Sequence, residues 1–148
     1  MTVEIAGITP AAEGLDGVHW NVLGQVYTPK QITDESFSWH ATFPIETFVP
    51  PHIHADQDEY IYMIDGEFDL LLDGQHRQAR TGDLIRMPRK IPHGIFNNSG
   101  RVVTCLFWVT PTAQLVDLFR ALHNVGSSGD AVRISANYGV TFLEPKLA

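Results

Sequence analysis

Apolar residues in this chain come in short bursts, and turn-forming residues interrupt the bursts at close intervals. The segments SFSWHATF (36–43), EYIYMID (59–65), EFDLLLD (67–73), DLIRMP (83–88) and VVTCLFWV (102–109) are rich in aromatic and β-branched side chains. Between and around them stand Pro44, Pro50-Pro51, Asp65-Gly66, Asp73-Gly74, Thr81-Gly82-Asp83, Pro88, Pro92 and Asn97–Gly100. Bursts of this length with frequent breakers read as strands, and many short strands in succession predict a sandwich or barrel. Asp73-Gly74 predicts a tight hairpin, because Asp and Gly tolerate the positive φ that a two-residue hairpin turn demands. In the stretch 59–64 both faces carry apolar side chains: Ile61 and Met63 follow Glu59 on one, and Tyr60, Tyr62 and Ile64 form the other. The run 102–109 behaves alike. Strands apolar on both sides need a second covering layer, from a partner subunit, from the C-terminal segment, or from both.

The period changes after residue 110. Thr110-Pro111 is a plausible helix start, since proline suits the first helical position, and Leu115, Leu118, Phe119 and Leu122 fall on one helical face. A second helix is expected over about 130–138, with Ala131, Ile134 and Tyr138 aligned and Gly139 as its stop. Neither a repeat nor a dividing linker interrupts the chain. The expectation is one all-β domain over 1–148: a barrel core of about 20–110 with a helical appendage of about 111–148.

Composition narrows the partners. The formal charge is −7, and Arg86, Arg89 and Lys90 make the only basic cluster, so nucleic acid and anionic membranes are not expected partners. No apolar run reaches the roughly 18 residues a membrane helix needs. The first residues lack the basic start and apolar stretch of a secretory leader. The single cysteine, Cys105, lies in an apolar run and reads as a buried thiol. Together these features point to the cytoplasm.

Of seven histidines, three stand in a pattern with a carboxylate, in PPHIHADQDEYIYMIDG and GDLIRMPRKIPHGIFN. Alternation along a strand projects His52 and His54 the same way. Glu59 opens the next extended run and can turn back toward them, while His93 must arrive from another strand. Three imidazoles and one carboxylate converging inside a barrel make a site for one divalent transition ion, with Fe, Mn, Ni, Co and Zn all compatible. His19, His76 and His123 have polar neighbours and read as solvated. His40 either packs in its strand or at an interface, or faces the pocket. Gln57 shares the parity of Glu59 and either reaches the surroundings of the metal or ties down the turn before the strand.

These residues resemble the cupin superfamily. Its first motif ends H-x-H-x4-E-x6-G, matched by His52, His54, Glu59 and Gly66; its second, G-x5-P-x-G-x2-H-x3-N, is matched by Gly82, Pro88, His93 and Asn97. Two glycines of the family pattern are replaced, by Glu46 and Lys90, both at turns. Lys90 is expected to take a left-handed conformation at some cost. The resemblance implies a small antiparallel barrel, of the jelly-roll type, with His52, His54, Glu59 and His93 as metal ligands.

The same parity places Ile61, Met63, Phe68, Leu70, Ile95 and Phe107 around an apolar cavity, which suits an aromatic or enolisable molecule better than a sugar phosphate. Arg86 is expected to point outward. The layout is similar to bacterial single cupins of the quercetin 2,3-dioxygenase type, which implies a dioxygenase in which Glu59 ligates the metal or takes a substrate proton. Two other readings stay open: a non-redox cyclase or isomerase that polarises a carbonyl, and a cupin that binds a small ligand without turning it over. A homodimer is expected from the two-faced strands and the family resemblance.

Overall fold

A computed structural model describes residues 4–143. After a 3₁₀ turn at Leu15–Gly17 the chain runs through ten strands: β1 (Trp20–Val22), β2 (Gln25–Ile32), β3 (Phe37–Phe43), β4 (Phe48–His54), β5 (Asp58–Asp65), β6 (Glu67–Leu72), β7 (Gln75–Arg80), β8 (Leu84–Met87), β9 (His93–Phe96) and β10 (Val103–Thr110). Two helices follow, α1 (Leu115–Leu122) and α2 (Ser128–Ala136), and then a last strand, β11 (Val140–Phe142). The strands form two antiparallel sheets, ordered β1-β2-β3-β10-β5-β8 and β11-β4-β9-β6-β7. Their inner faces meet in one apolar cluster that also takes in α1. The expected all-β barrel with C-terminal helices is the observed fold.

Alternation explains the wall. In β3 and β10 every second residue is buried, so Phe37, Trp39, Ala41 and Phe43 face Val103, Cys105, Phe107 and Val109 across the ladder. Asp73 and Gly74 both have positive φ, 52° and 78°, and join Leu72 to its partner Gln75 in the expected hairpin. Gly66, with φ 110°, is required twice over: a Cβ there would lie 2.8 Å from Val103. Lys90 takes φ 67° as expected, and Glu46 takes φ 66°. The family glycines are thus replaced at positions that still demand the left-handed region. Asn97, fully buried, donates to the carbonyls of Phe43, Pro44 and Arg101 and ties the β3–β4 and β9–β10 loops together at one end of the barrel.

The C-terminal third departs from expectation in its details. The first helix begins at Leu115 rather than at Pro111, because Thr110 still pairs with Asp58 in the ladder and the chain turns through 111–114. The second helix is Ser128–Ala136, opened by the Ser127 hydroxyl accepting from the Asp130 N–H, and Gly139 at φ 81° ends the region. The chain then returns to the sheet as β11, pairing Val140 with His54 and Phe142 with His52. The expected appendage of 111–148 therefore includes a strand, and 144–148 lies outside the described residues. Nor do the helices cover the outer face of β5 and β10. Tyr62 and Ile64 stay 45% and 43% exposed, and Tyr60 stacks on Trp108 at 5.2 Å, half-buried.

Candidate metal centre

One sheet supplies three of the polar side chains inside the barrel, and the other sheet supplies the fourth. His52 and His54 come from β4, His93 from β9 directly opposite His52, and Glu59 from β5 across the interior. The β4–β9 register shifts between Val49 and His52, at Pro50-Pro51. Proline cannot donate to a ladder, and the break lets Val49, His52 and His54 all turn inward despite their odd spacing. All four polar side chains are buried, and one ligand atom from each lies within 4.8 Å of all the others. Metal–donor bonds of about 2.1 Å put donors in one coordination shell roughly 3–4 Å apart, so the cluster needs little adjustment to close on an ion.

Each imidazole is held by its Nδ1. His52 Nδ1 lies 2.8 Å from the Pro50 carbonyl, His93 Nδ1 3.2 Å from the Ile91 carbonyl, and His54 Nδ1 2.8 Å from Gln57 Oε1. Each of these oxygens accepts, so Nδ1 carries the proton and Nε2 presents its lone pair to the centre. His54 Nε2 lies 3.3 Å from Glu59 Oε2, and His93 Nε2 lies 3.5 Å from Glu59 Oε1. His93 Nε2 is also one of two buried side-chain nitrogens without a hydrogen-bond partner among the described residues. A buried lone pair of this kind is what a cation satisfies.

Electrostatics agree with a cation site. Burial, reinforced by neighbouring imidazoles, lowers His52 well below its usual range, and burial also lowers His54, so both favour the neutral form that ligates. For Glu59 burial pushes upward, but the electrostatic influence of His54, His93 and His52 outweighs it and holds the carboxyl at about 2. The centre thus offers three imidazole nitrogens and one carboxylate, the donor set of a divalent transition ion.

Gln57 does more than tie a turn. While its Oε1 accepts from His54, its Nε2 donates to the carbonyls of Pro111 (3.1 Å) and Thr112 (2.7 Å). One buried amide thereby couples a site imidazole to the segment that leads into α1. His40 does not join the centre: in β3 it has the opposite parity to Trp39, so it lies half-buried on the outer face, where Leu106 is its ladder partner. Arg86 points outward, and His19, His76 and His123 are exposed, as their neighbours implied.

Beside the cluster lies a cavity of about 40 Å³, room for a few waters. Ile95 and Phe107 line it, whereas Ile61, Met63, Phe68 and Leu70 do not. Those four do face inward, but they lie deeper, where side chains fill the barrel; parity assigns a face and is silent on depth. The wall comes instead from Val22, Tyr27 and Trp39 of the first strands, from Leu115, Leu118, Phe119 and Leu122 of α1, and from Val140 and Phe142 of β11. The apolar stripe of α1 was legible in the sequence. That it roofs the metal cluster was not, because nothing local states which surface an amphipathic helix will cover.

Residues 39–110 match the family model described as "Cupin domain". With the two-sheet barrel, this gives the chain a cupin domain over those residues. Among curated proteins it is 32% identical over 75 residues to a quercetin 2,3-dioxygenase from Bacillus subtilis. The match takes in 51% of this chain and only 22% of that relative. Among solved structures it is similar to KdgF from Halomonas sp. (TM-score 0.59, 20% identity, covering 63% of this chain and 84% of the other). It is also similar to a sugar phosphate isomerase of the cupin superfamily from Silicibacter pomeroyi (TM-score 0.55, 18% identity, covering 61% of each). At these identities the structures show a shared fold.

Proposed function

We propose that this chain is a metal-dependent cupin enzyme that oxygenates a small aromatic or enolisable organic molecule. The observation that carries the reading is the juxtaposition of a buried three-histidine, one-carboxylate cluster with a wall of aromatic and aliphatic side chains. In this reading His52, His54, Glu59 and His93 hold one divalent ion. That ion supplies Lewis acidity and, when redox-active, the electron exchange that O2 chemistry requires. Glu59 either completes the ligand set or accepts the proton of a substrate hydroxyl as the substrate docks. Gln57 keeps the His54 ring in register, and Tyr27, Trp39, Phe107 and Phe119 exclude water and stack on a flat substrate. Partial similarity to a quercetin 2,3-dioxygenase supports the reaction class. Among the described residues the cavity wall contains no Lys or Arg and so offers no cation to a phosphoryl group, which argues against a sugar phosphate. The exposed Tyr62, Ile64 and Leu84 with the Tyr60–Trp108 pair support a two-fold homodimer through the outer face, in keeping with a cytoplasmic enzyme.

The test is an oxygen-uptake screen of phenols and enols with protein of measured metal content. Substrate-dependent uptake, lost on chelation, is expected; turnover without oxygen would instead mark a cyclase or isomerase. If Glu59 is the base, Glu59→Gln keeps its metal while the rate falls roughly 10²–10⁴-fold. If it is only a ligand, metal affinity and rate fall together and excess metal restores both.

A further inference from the structure

The cavity wall carries one polar group for which the fold has no use. Trp39 is 1% exposed and lines the cavity, and its Nε1 is the second buried side-chain nitrogen without a partner among the described residues. Its neighbours are rings: Phe37 stacked at 4.7 Å, Phe107 stacked at 5.1 Å, Phe119 edge-on at 5.0 Å and Tyr27 at 6.0 Å. Among these rings only Tyr27 carries an oxygen, and its hydroxyl is engaged elsewhere. It donates to Gln25 Oε1 at 2.8 Å, and Gln25 Nε2 in turn donates to the carbonyls of Leu23 and Phe48. A buried N–H left without an acceptor costs free energy, and an indole N–H can only donate. Of the two unpartnered nitrogens, Trp39 Nε1 belongs to a residue that lines the cavity, and His93 Nε2 to the His52–His54–Glu59–His93 cluster beside it.

We propose that Trp39 Nε1–H is the ligand-recognition donor of this cavity, bonding an acceptor oxygen on the part of the ligand remote from the metal-binding cluster. The inference rests on the metal-centre reading above and specifies the ligand further. Trp39 pairs with Phe107, whereas Glu59 and Phe37 share the partner Val109, so Trp39 lies two strands across and two residues along from Glu59. That is about 12 Å of sheet from Cα to Cα, and the Trp and Glu side chains both project from its inner face into the barrel. With so little free volume, the gap suits a single ring with oxygen functions at opposite ends and is too short for a linear polycycle. One end chelates the ion, the face stacks on the aromatic wall, and the other end accepts from Trp39.

Catechol and 4-nitrocatechol separate these contributions, because both chelate through their hydroxyls and only the second presents acceptor oxygens at the far end. Binding of each to zinc-loaded protein is measured by calorimetry, with the indole N–H signals followed by NMR. Trp39→Phe keeps the ring and removes the donor. It is expected to weaken 4-nitrocatechol roughly tenfold more than it weakens catechol. In the unaltered protein the Trp39 N–H signal should move downfield with 4-nitrocatechol and stay nearly still with catechol. That signal is assigned by elimination through Trp20→Phe and Trp108→Phe, so the measurement stands even if the Trp39 variant does not fold. Equal weakening of the two probes, or an unmoved signal while 4-nitrocatechol binds, overturns the inference and leaves the metal centre intact. Protein that takes up zinc and binds neither probe, or takes up no zinc, overturns the site reading and this inference with it.

Discussion

The two ends of the barrel are built from the same strands by the same alternation, yet they have opposite interiors. At one end Phe43, Met63, Phe68 and Val103 close the space completely, with Phe43 meeting Phe68 edge-on at 4.8 Å. At the other, four ionisable side chains occupy equivalent inward positions beside a cavity roofed by α1. The filled end is self-sufficient, because apolar side chains satisfy one another by packing. The polar end is not, since burying imidazoles and a carboxylate is costly unless each finds a partner, and the protein leaves one lone pair without any. The first end is satisfied by packing alone, and the second keeps donors that a bound cation would satisfy.

If that contrast holds, damage to the two ends should separate. Phe68→Ala at the filled end should cost about 3–5 kcal/mol in denaturant unfolding, yet leave the metal stoichiometry of the surviving folded protein unchanged. Loss of metal in proportion to stability would mean that the two ends are one cooperative structure. At the polar end, Gln57→Leu frees His54 Nδ1 and the carbonyls before α1 while keeping much of the side-chain volume. It should weaken metal about 10–100-fold in a chelator competition on the folded protein, and cost about 1–3 kcal/mol in unfolding because buried polar groups lose their partners.

Acid should act on the polar end. His52 and His54 are lowered from their usual value near 6.5, so the unfolded chain takes up their protons first as the pH falls. The stability they contribute is full above about 6.5 and is lost as the pH drops through their lowered folded values. Glu59, held at about 2, has the same sign in a more acidic window: its contribution is full above about 4.5 and fades toward 2. Metal-free protein should therefore lose stability between pH 7.5 and 5, and His52→Asn should flatten that slope in unfolding curves recorded across the range. An unchanged slope would detach the pH response from the cluster.

The smallest effect should be shared by both ends. Lys90, whose N–H bonds to the His54 carbonyl, lies at the polar end, and Glu46, bonded to the Asn97 carbonyl, lies at the filled end; both have φ near 66°. Lys90→Gly and Glu46→Gly should each stabilise by up to about 1 kcal/mol, because glycine removes the left-handed strain and returns part of the gain as backbone entropy. A matched rise in melting temperature would show backbone strain that is independent of the site, whereas a rise at Lys90 alone would tie it to the metal loop.

What the sequence by itself determined is local and periodic. Parity with the site marked Ile61, Met63 and Phe107 as inward, Asp73-Gly74 specified its hairpin, and the spacing of His52, His54, Glu59 and His93 selected the four side chains that meet. Such features were readable because face and turn type depend on neighbours one to four residues away. The tertiary structure decided depth and coverage. Ile61 and Trp39 are both inward-facing, yet only Trp39 reaches the cavity, because depth depends on how strands from distant parts of the chain are staggered. β2 and β11 carry too weak an alternation to stand out alone, and β11 exists as a strand because β4 offers it an edge beside His52 and His54. Gln57 could be read as near the metal, but its link to the Pro111 and Thr112 carbonyls required the chain to fold back over 54 residues. A periodic pattern encodes which side of an element is buried; only long-range packing determines what it is buried against.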